Sequence, residues 1–448
     1  KLILLKKYNI EKINFFLNVR KKILSFNEIY FTINNINFFS DKLKVTKNKQ
    51  TFLFEGIIEN KASTLNNELL NLIKLNFENL ELKKTNFSSK NNLSFKIDNN
   101  FKLKDLVIDS EIQIDEFAYK KPNLFKDSFS EINDIVFFKG HKIKASYKKD
   151  DLFLKGSGTM QLQKVFDKVE YSIRNKNKNF NIISNLDLSE LRIKNKKFFQ
   201  RFFPNINKNL NLKDHQIRIN YTKDKIFFEG SGKIQLEKEY DKINYSISKI
   251  GSKFEFDTKL DLDKTLLVIN SLNYKKNEKF KTQLKIIGNY EKNNRLNLNE
   301  VSIIGKNNKI ILNNLSLNKE NKVIKVDKFD LDYFDIENKK NKLILKRNQK
   351  NSYELNGSIF NANFIISDLL ESTSDKPFNI LKNDIELIIN INEVFIDDKN
   401  IVKNFKGSLN FVNNEITKAN IQALFKNNKD LNFTINTNNN EKVTTFYS

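Results

Sequence analysis

From Lys253 to Lys264 the chain reads KFEFDTKLDLDK. On an extended backbone Phe254, Phe256, Thr258, Leu260 and Leu262 fall on one side. Lys253, Glu255, Asp257, Lys259 and Asp261 fall on the other. In DKINYSISK, beginning at Asp241, Ile243, Tyr245 and Ile247 oppose Lys242, Asn244, Ser246 and Ser248. A period of two marks a strand with one apolar and one wet face. The same alternation places Leu93, Phe95 and Ile97 together, and Ile112 with Ile114, and continues less cleanly through Val326, Leu331 and Tyr333. Lys-Asp, Asn-Lys-Asn and Gly-Ser-Gly clusters punctuate the pattern as turns.

The pattern is written twice. HKIKASYKKDDLFLKGSGTMQLQKVFDKVEYSIRN starts at His141, and HQIRINYTKDKIFFEGSGKIQLEKEYDKINYSISK starts at His215, 74 positions on. Gly156-Ser157-Gly158 matches Gly230-Ser231-Gly232, Gln161 matches Gln235, and Tyr171-Ser172-Ile173 matches Tyr245-Ser246-Ile247. The match extends to Leu186-Asp187-Leu188 against Leu260-Asp261-Leu262, with about 21 of 48 paired positions identical. A fixed period is the signature of a repeat architecture. Each copy reads as four or five antiparallel strands joined by short hairpins. Helix-like segments are expected at KKFFQRFFP (196–204) and at DKTLLVINSLNY (263–274), with Asp263 as N-cap. A third, STLNNELLNLIKL, aligns Leu65, Leu69, Leu72 and Ile73 on one stripe.

Three Pro and eleven Gly leave few domain breaks. Residues 1–448 are therefore read as one elongated β-repeat region. Within it lie a helix-containing unit (61–140), two repeats (141–214 and 215–288) and further β units (289–448). The chain starts at Lys1 without Met and ends in strand-like KVTTFYS, which reads as a piece of a longer protein. The helical segments are too few to cover so many strands. The apolar face then has two solutions: a self-packed sandwich, or a lengthwise trough filled by acyl chains.

Composition changes this picture little. Forty Phe among 12% aromatics argue against global disorder. Cys is absent, which removes disulfides and thiolate chemistry. The net charge of +24 invites a nucleic-acid reading, but it comes from 71 Lys and only 7 Arg. Arg is the residue that binds phosphate in a bidentate fork. The Lys are also dispersed among Asp and Glu, as on solvated faces, so nucleic acid is disfavoured as a partner. A diffuse attraction to anionic lipid stays compatible. No apolar run reaches the ~18 residues of a membrane span, and no signal peptide is recognisable.

Candidate chemistry is sparse. His141 and His215, the only two His, occupy equivalent positions at expected strand starts, without a ligand set beside them. The Gly-Ser-Gly triplets precede strands rather than helices. They suit a bulge or bend better than a phosphate loop. Asp150-Asp151 and Asp397-Asp398 suit turns better than a cation site. No nucleophile elbow or acid–base pair stands out, so the expectation is a protein that is not an enzyme, with no cofactor and no metal.

Near the end stands YELNGSIFNANFIISDLLESTSDKPFNILKNDIELIININEVFID, from Tyr353, followed by NFKGSLNFVNNEITKANIQALF, from Asn404. Gly357, then Phe360-Asn361-Ala362, then Ile365-Ile366 and Leu369-Leu370 give a Gly, an aromatic-Asx-small motif and a short Leu-rich helix. A strand pair and a Gly-containing turn at Phe405–Leu409 follow. This resembles the AsmA-like superfamily of bacterial envelope proteins, in its YhdP-like branch. That family often has Asp where Asn361 stands and Arg where Asn363 stands. The motif covers roughly 353–425; upstream the likeness is one of repeat style.

The resemblance implies a mainly-β fold, an elongated, twisted antiparallel β-sheet trough (a repeating β-groove) with a few short helices between repeats. It implies a body in the periplasm, anchored in the inner membrane outside this segment. Phospholipid would move along the groove toward the outer membrane, in cell-envelope biogenesis. Partners would be phospholipid acyl chains, the inner and outer membranes, and envelope proteins at the ends. The candidate groove lining is Tyr171, Ile173, Leu186, Leu188, Ile243, Tyr245, Ile247, Phe254, Phe256, Leu260 and Leu262. The alternative is a structural or adhesive β-repeat protein with a self-packed core and no lipid cargo.

Overall fold

The computed structural model describes residues 2–4, 8–33, 35–65, 80–81, 85–121, 131–177, 179–195, 197–291, 295–320, 322–349, 351–366, 384–413, 415–438 and 441–447. Strands dominate them, as the alternation requires, and the mainly-β class holds. The expected helix at 63–75 and Leu369-Leu370 lie largely or wholly outside the described residues.

The repeat has four strands, paired in the first copy as a meander. Its first copy has strands Ile135–Lys148, Asp151–Gln161, Phe166–Lys176 and Asn179–Lys194. Its second has Asn209–Thr222, Lys225–Gln235, Tyr240–Ile250 and Lys253–Asp261. The first three strands recur with both ends shifted by the sequence period. The special backbone positions recur too. Gly140 (φ 63°) and Asp214 (φ 54°) are left-handed at one point of the repeat, and Asn177 (φ 51°) and Gly251 (φ 57°) at another.

The chain divides into two compact units, residues 1–194 with 211–230, and 195–210 with 231–448. In the first unit, neighbouring strands pair antiparallel. Register puts apolar residues beside apolar residues: Val45 beside Leu24 and Phe54, Phe54 beside Phe95, Leu93 beside Ile108, and Ile108 beside Tyr147. The rings of Phe54 and Phe95 stack at 4.7 Å. A core of Val169, Leu186, Leu188 and Leu191 gathers Met160, Leu162, Ile132 and Leu212 around one end of the first copy. Each such side chain contributes about 1.5–3 kcal/mol on full burial.

In the second unit one row crosses six neighbouring strands: Leu260, Leu284, Ile303, Ile310, Leu331 and Leu343. All six are buried. The wet face carries cross-strand ion pairs such as Lys285–Glu300 (3.3 Å) and Lys309–Asp330 (3.0 Å). Pairs this exposed contribute under about 1 kcal/mol each, so they mark the solvated side rather than hold the sheet.

Three expectations are corrected. Among the described strand pairs one is parallel rather than antiparallel, Ser352–Asn361 with Ile385–Phe395. Residues 263–274 are not a helix but a short strand Leu267–Ile269, a 3-10 turn Asn270–Leu272 and the start of strand Tyr274–Lys276. Asp263 caps no helix there; its N–H donates to Asp241 Oδ1 (2.8 Å). Phe405–Leu409 is not a turn but the middle of strand Ile401–Val412. Gly407 is required there because a Cβ would collide with the Asn420 carbonyl. The segment at 196–204 is helical, but as a 3-10 turn over Lys197–Arg201. No helix among the described residues is long and apolar enough to cross a membrane.

Candidate functional site

Beside the buried row of the second unit, one alternation further along each strand, lies another. It contains Thr258, Ile286, Val301, Leu312, Phe329, Leu345 and Leu355, each register-matched to the next. All seven are only half-buried. Beyond them Phe256 stands beside Ile247 and Gly288, and Phe254 beside Tyr290. Ile247 is 37% exposed, and Phe254 and Tyr290 are each 40% exposed. One sheet face is thus sealed at one end of its strands and opens toward the other.

The seal has identifiable parts. Residues 262–281 fold over the closed end. Tyr333 donates its hydroxyl to the Leu272 carbonyl (2.7 Å), and its ring meets Tyr274 edge-on at 5.7 Å. Tyr274 and Tyr333 are fully buried. A recess opens in the same face. It has a volume of about 150 Å³, and Val323, Ile324, Val326, Leu345, Tyr353, Ile385 and Leu387 line it. Its one hydroxyl, on Tyr353, accepts the Val326 N–H (3.5 Å), so the wall presents hydrocarbon.

Against this geometry the eleven candidate lining residues separate. Ile173, Ile243, Tyr245 and Phe256 are half-buried, and Ile247 and Phe254 are exposed on the open part. Leu260 and Leu262 are buried, as core at the closed end, and Leu186 and Leu188 are buried in the core of the first unit. Tyr171 is committed elsewhere.

That commitment explains the glycines and the histidine. His141 lies within its strand rather than at its start, just after the left-handed Gly140. Here the register slips, and Gly158 faces a β-bulge, as the triplet suggested. A Cβ on Gly158 would lie 2.5 Å from the His141 ring, and one on Gly156 2.5 Å from the Tyr171 ring. The two glycines clear a floor on which both rings lie. His141 Nε2 meets the Thr159 carbonyl (3.1 Å), which only accepts, so Nε2 carries the proton. Nδ1 then accepts from the Tyr171 hydroxyl (3.1 Å). Phe117 and Phe138 close the other sides, edge-on at 5.3 and 5.6 Å.

Burial pushes the His141 pKa below its ordinary 6.5, against the opposing Thr159 carbonyl, and pushes the Tyr171 hydroxyl up to about 12. A depressed histidine pKa stabilises the fold above about pH 6.5, and that stability is lost as pH falls through the folded value. Urea unfolding of the chain should therefore show a steeper fall in midpoint between pH 7.5 and 5 than that of His141→Gln. Parallel curves would contradict a neutral, buried ring.

The motif residues form a second polar knot. Asn361 is fully buried at the end of its strand. Its Nδ2 donates to Asp335 Oδ2 (2.8 Å) and Glu337 Oε2 (3.0 Å), and its N–H donates to Asn341 Oδ1 (2.9 Å). Asn341 Nδ2 also reaches Asp335 Oδ2 (3.1 Å). Gly357 packs against Leu343, and Ala362 N–H donates to the Phe395 carbonyl (2.9 Å), leading into a helical turn. Phe360 meets the Phe364 ring edge-on at 6.2 Å. Asn363 Nδ2 and Lys339 Nζ converge on Asp398 (3.1 and 3.2 Å). Asp397 accepts the N–H groups of Lys399 and Asn400 (2.7 and 2.8 Å), as a turn residue does. The carboxylates around Asn361 need a donor, which an amide supplies and an aspartate would not. Asp335 and Asn341 carry no sequence signal of their own, since their partner lies 20 or more residues away.

No protein-family model matches the chain, and neither does any curated protein or solved structure. Among the described residues, no group of three or more His, Asp or Glu is placed to hold a metal ion.

Proposed function

We propose that this chain is a section of a non-enzymatic β-groove that carries phospholipid acyl chains, in the periplasm of a bacterial envelope, between inner and outer membrane. The observation that supports it is the half-buried row from Ile286 to Leu355. Six strands at about 4.8 Å spacing give it roughly 24 Å of unbroken hydrocarbon. A self-packed sandwich buries such a row. Left in contact with water, it costs about 25 cal/mol per Å² of apolar surface. Acyl chains covering it would recover that free energy without any directional bond, and so would be free to slide. The wet face, with its excess Lys, keeps the outside solvated.

Photo-crosslinking distinguishes the faces. A benzophenone side chain at Leu345 is expected to capture phospholipid in the bacterial envelope, while one at the adjacent, outward-facing Lys346 captures none. Equal capture at both sites would contradict the reading. Phe256→Asp should lower bound phospholipid severalfold while circular dichroism stays unchanged, because Phe256 is half-buried and outside the sealed row. Unchanged lipid content would remove Phe256 from the groove.

A further inference from the structure

The two repeat copies share a backbone frame at the turn after their second strand. Asn133 N–H donates to the Leu162 carbonyl (2.9 Å), and Asn207 N–H to the Leu236 carbonyl (2.8 Å). Asn133 Nδ2 donates to the Gln163 carbonyl, and Asn207 Nδ2 to the Glu237 carbonyl. Inside this common frame one position has changed chemistry: Gln163 in the first copy is Glu237 in the second.

Gln163 is saturated. Its Oε1 accepts the Arg192 N–H (3.0 Å), and its Nε2 donates to the carbonyls of Glu131 (2.9 Å) and Arg192 (2.7 Å). Glu237 keeps only the accepting half. Its Oε2 takes the N–H of Leu266, the residue matching Arg192, at 3.5 Å. Its Oε1 is buried with no hydrogen-bond partner, and the residue as a whole is 7% exposed. An orphaned carboxylate oxygen in such a place is costly, and a carboxylic acid resolves it by donating.

We propose that Glu237 is a proton-binding latch. Its protonated carboxyl donates to the Leu266 carbonyl, as the Gln163 amide donates to Arg192, and thereby fastens residues 262–281 over the closed end of the apolar face. Loss of the proton leaves a buried anion and loosens that cover. The charges around it act in both directions. Burial raises the Glu237 pKa most, and Glu278 and Asp241 raise it further. The Leu266 N–H and the Lys276 ammonium oppose them. Lys276 is itself buried and held by the Thr265 carbonyl (2.8 Å). Asp241 is occupied by the N–H groups of Asp263 and Lys264 (2.8 and 2.9 Å) and by the Thr265 hydroxyl. A raised carboxyl pKa stabilises the fold below the unfolded value, near 4.5, and that stability is lost as pH rises through the folded value. The latch therefore closes in acid and opens toward neutral pH, the reverse of His141. It stands whether or not the face carries lipid.

Glu237→Gln should fold, since the first copy already accommodates glutamine. Hydrogen exchange at the Leu266 amide of the whole chain, corrected for intrinsic rates, is the test. In the native chain, protection should fall by up to about tenfold per pH unit once pH passes the folded value. In Glu237→Gln it should stay flat and high. Infrared spectra just above pH 4.5 should also show a protonated carboxyl band that the variant lacks. Parallel pH profiles for the two proteins, or spectra without that difference, would overturn the latch.

Discussion

Asn361→Leu is expected to cost roughly 3–5 kcal/mol in the second unit, on the scale of removing one partner from a buried charged network. Leucine leaves Asn341 Oδ1 in place, because that oxygen is served by the backbone N–H of residue 361. What disappears is the side-chain amide between Asp335 and Glu337. Asp335 retains the Lys339 N–H (2.9 Å) and Asn341 Nδ2. It loses the shortest of its side-chain partners while staying buried. Asn361→Asp should also destabilise at neutral pH, by placing a third carboxylate beside those two, and should recover on acidification as that carboxylate protonates. Asn363→Ala removes exposed bonds to Asp398 and to Glu337, and is expected to cost less than about 1 kcal/mol. Urea unfolding followed by circular dichroism, with hydrogen exchange over 340–361, separates the three. Equal costs for Asn361→Leu and Asn363→Ala would refute the buried network.

The second large effect is expected at the glycine floor. Gly158→Val should destabilise by about 3 kcal/mol or more. Overpacking contributes about 1–3 kcal/mol, and displacement of the His141 ring from the Thr159 carbonyl and Tyr171 hydroxyl contributes a similar amount. The sign is informative, because replacing a strand glycine where space exists ordinarily stabilises by about 0.4–1 kcal/mol. Ser157→Val, on the exposed face one residue away, should change stability by less than about 0.5 kcal/mol. Adding His141→Ala to Gly158→Val should recover part of the loss, because the clash and the ring are removed together. Strict additivity in that cycle would show that Gly158 serves something other than the ring.

These positions also show what the sequence made legible. The period-two pattern made the third and fourth strands of the second copy legible, and the 74-residue offset carried the pattern to the first copy, because local alternation decides which side faces the core. The closing segment of the second copy reads as helix in the sequence but is not one. In DKTLLVINSLNY the apolar residues fit either period, and pairing of Leu267–Ile269 with Tyr274–Lys276 decided the outcome. Gly156 and Gly158 were legible as bulge or bend formers, but not as a floor for two rings, since Tyr171 approaches only through pairing with the next strand. The parallel direction of strand Ile385–Phe395 could not be read, because local alternation is the same for parallel and antiparallel pairing. Alternation assigned Leu260 and Phe256 to one face correctly. It could not say that the first is sealed and the second half-open, which depends on Tyr274 and Tyr333 covering one end. Glu237 does carry a sequence signal, a charge where its counterpart Gln163 in the aligned copy has an amide.

The central claim, that the half-buried row is a bed for acyl chains, is tested most directly by native mass spectrometry. The chain would be purified from a bacterial envelope in mild detergent, and its bound lipid extracted and identified. Several phospholipids per chain, reduced in Phe256→Asp, are the expected result. A stably folded chain that leaves the envelope free of lipid would contradict the groove and point to a β-repeat whose exposed face serves a structural contact instead.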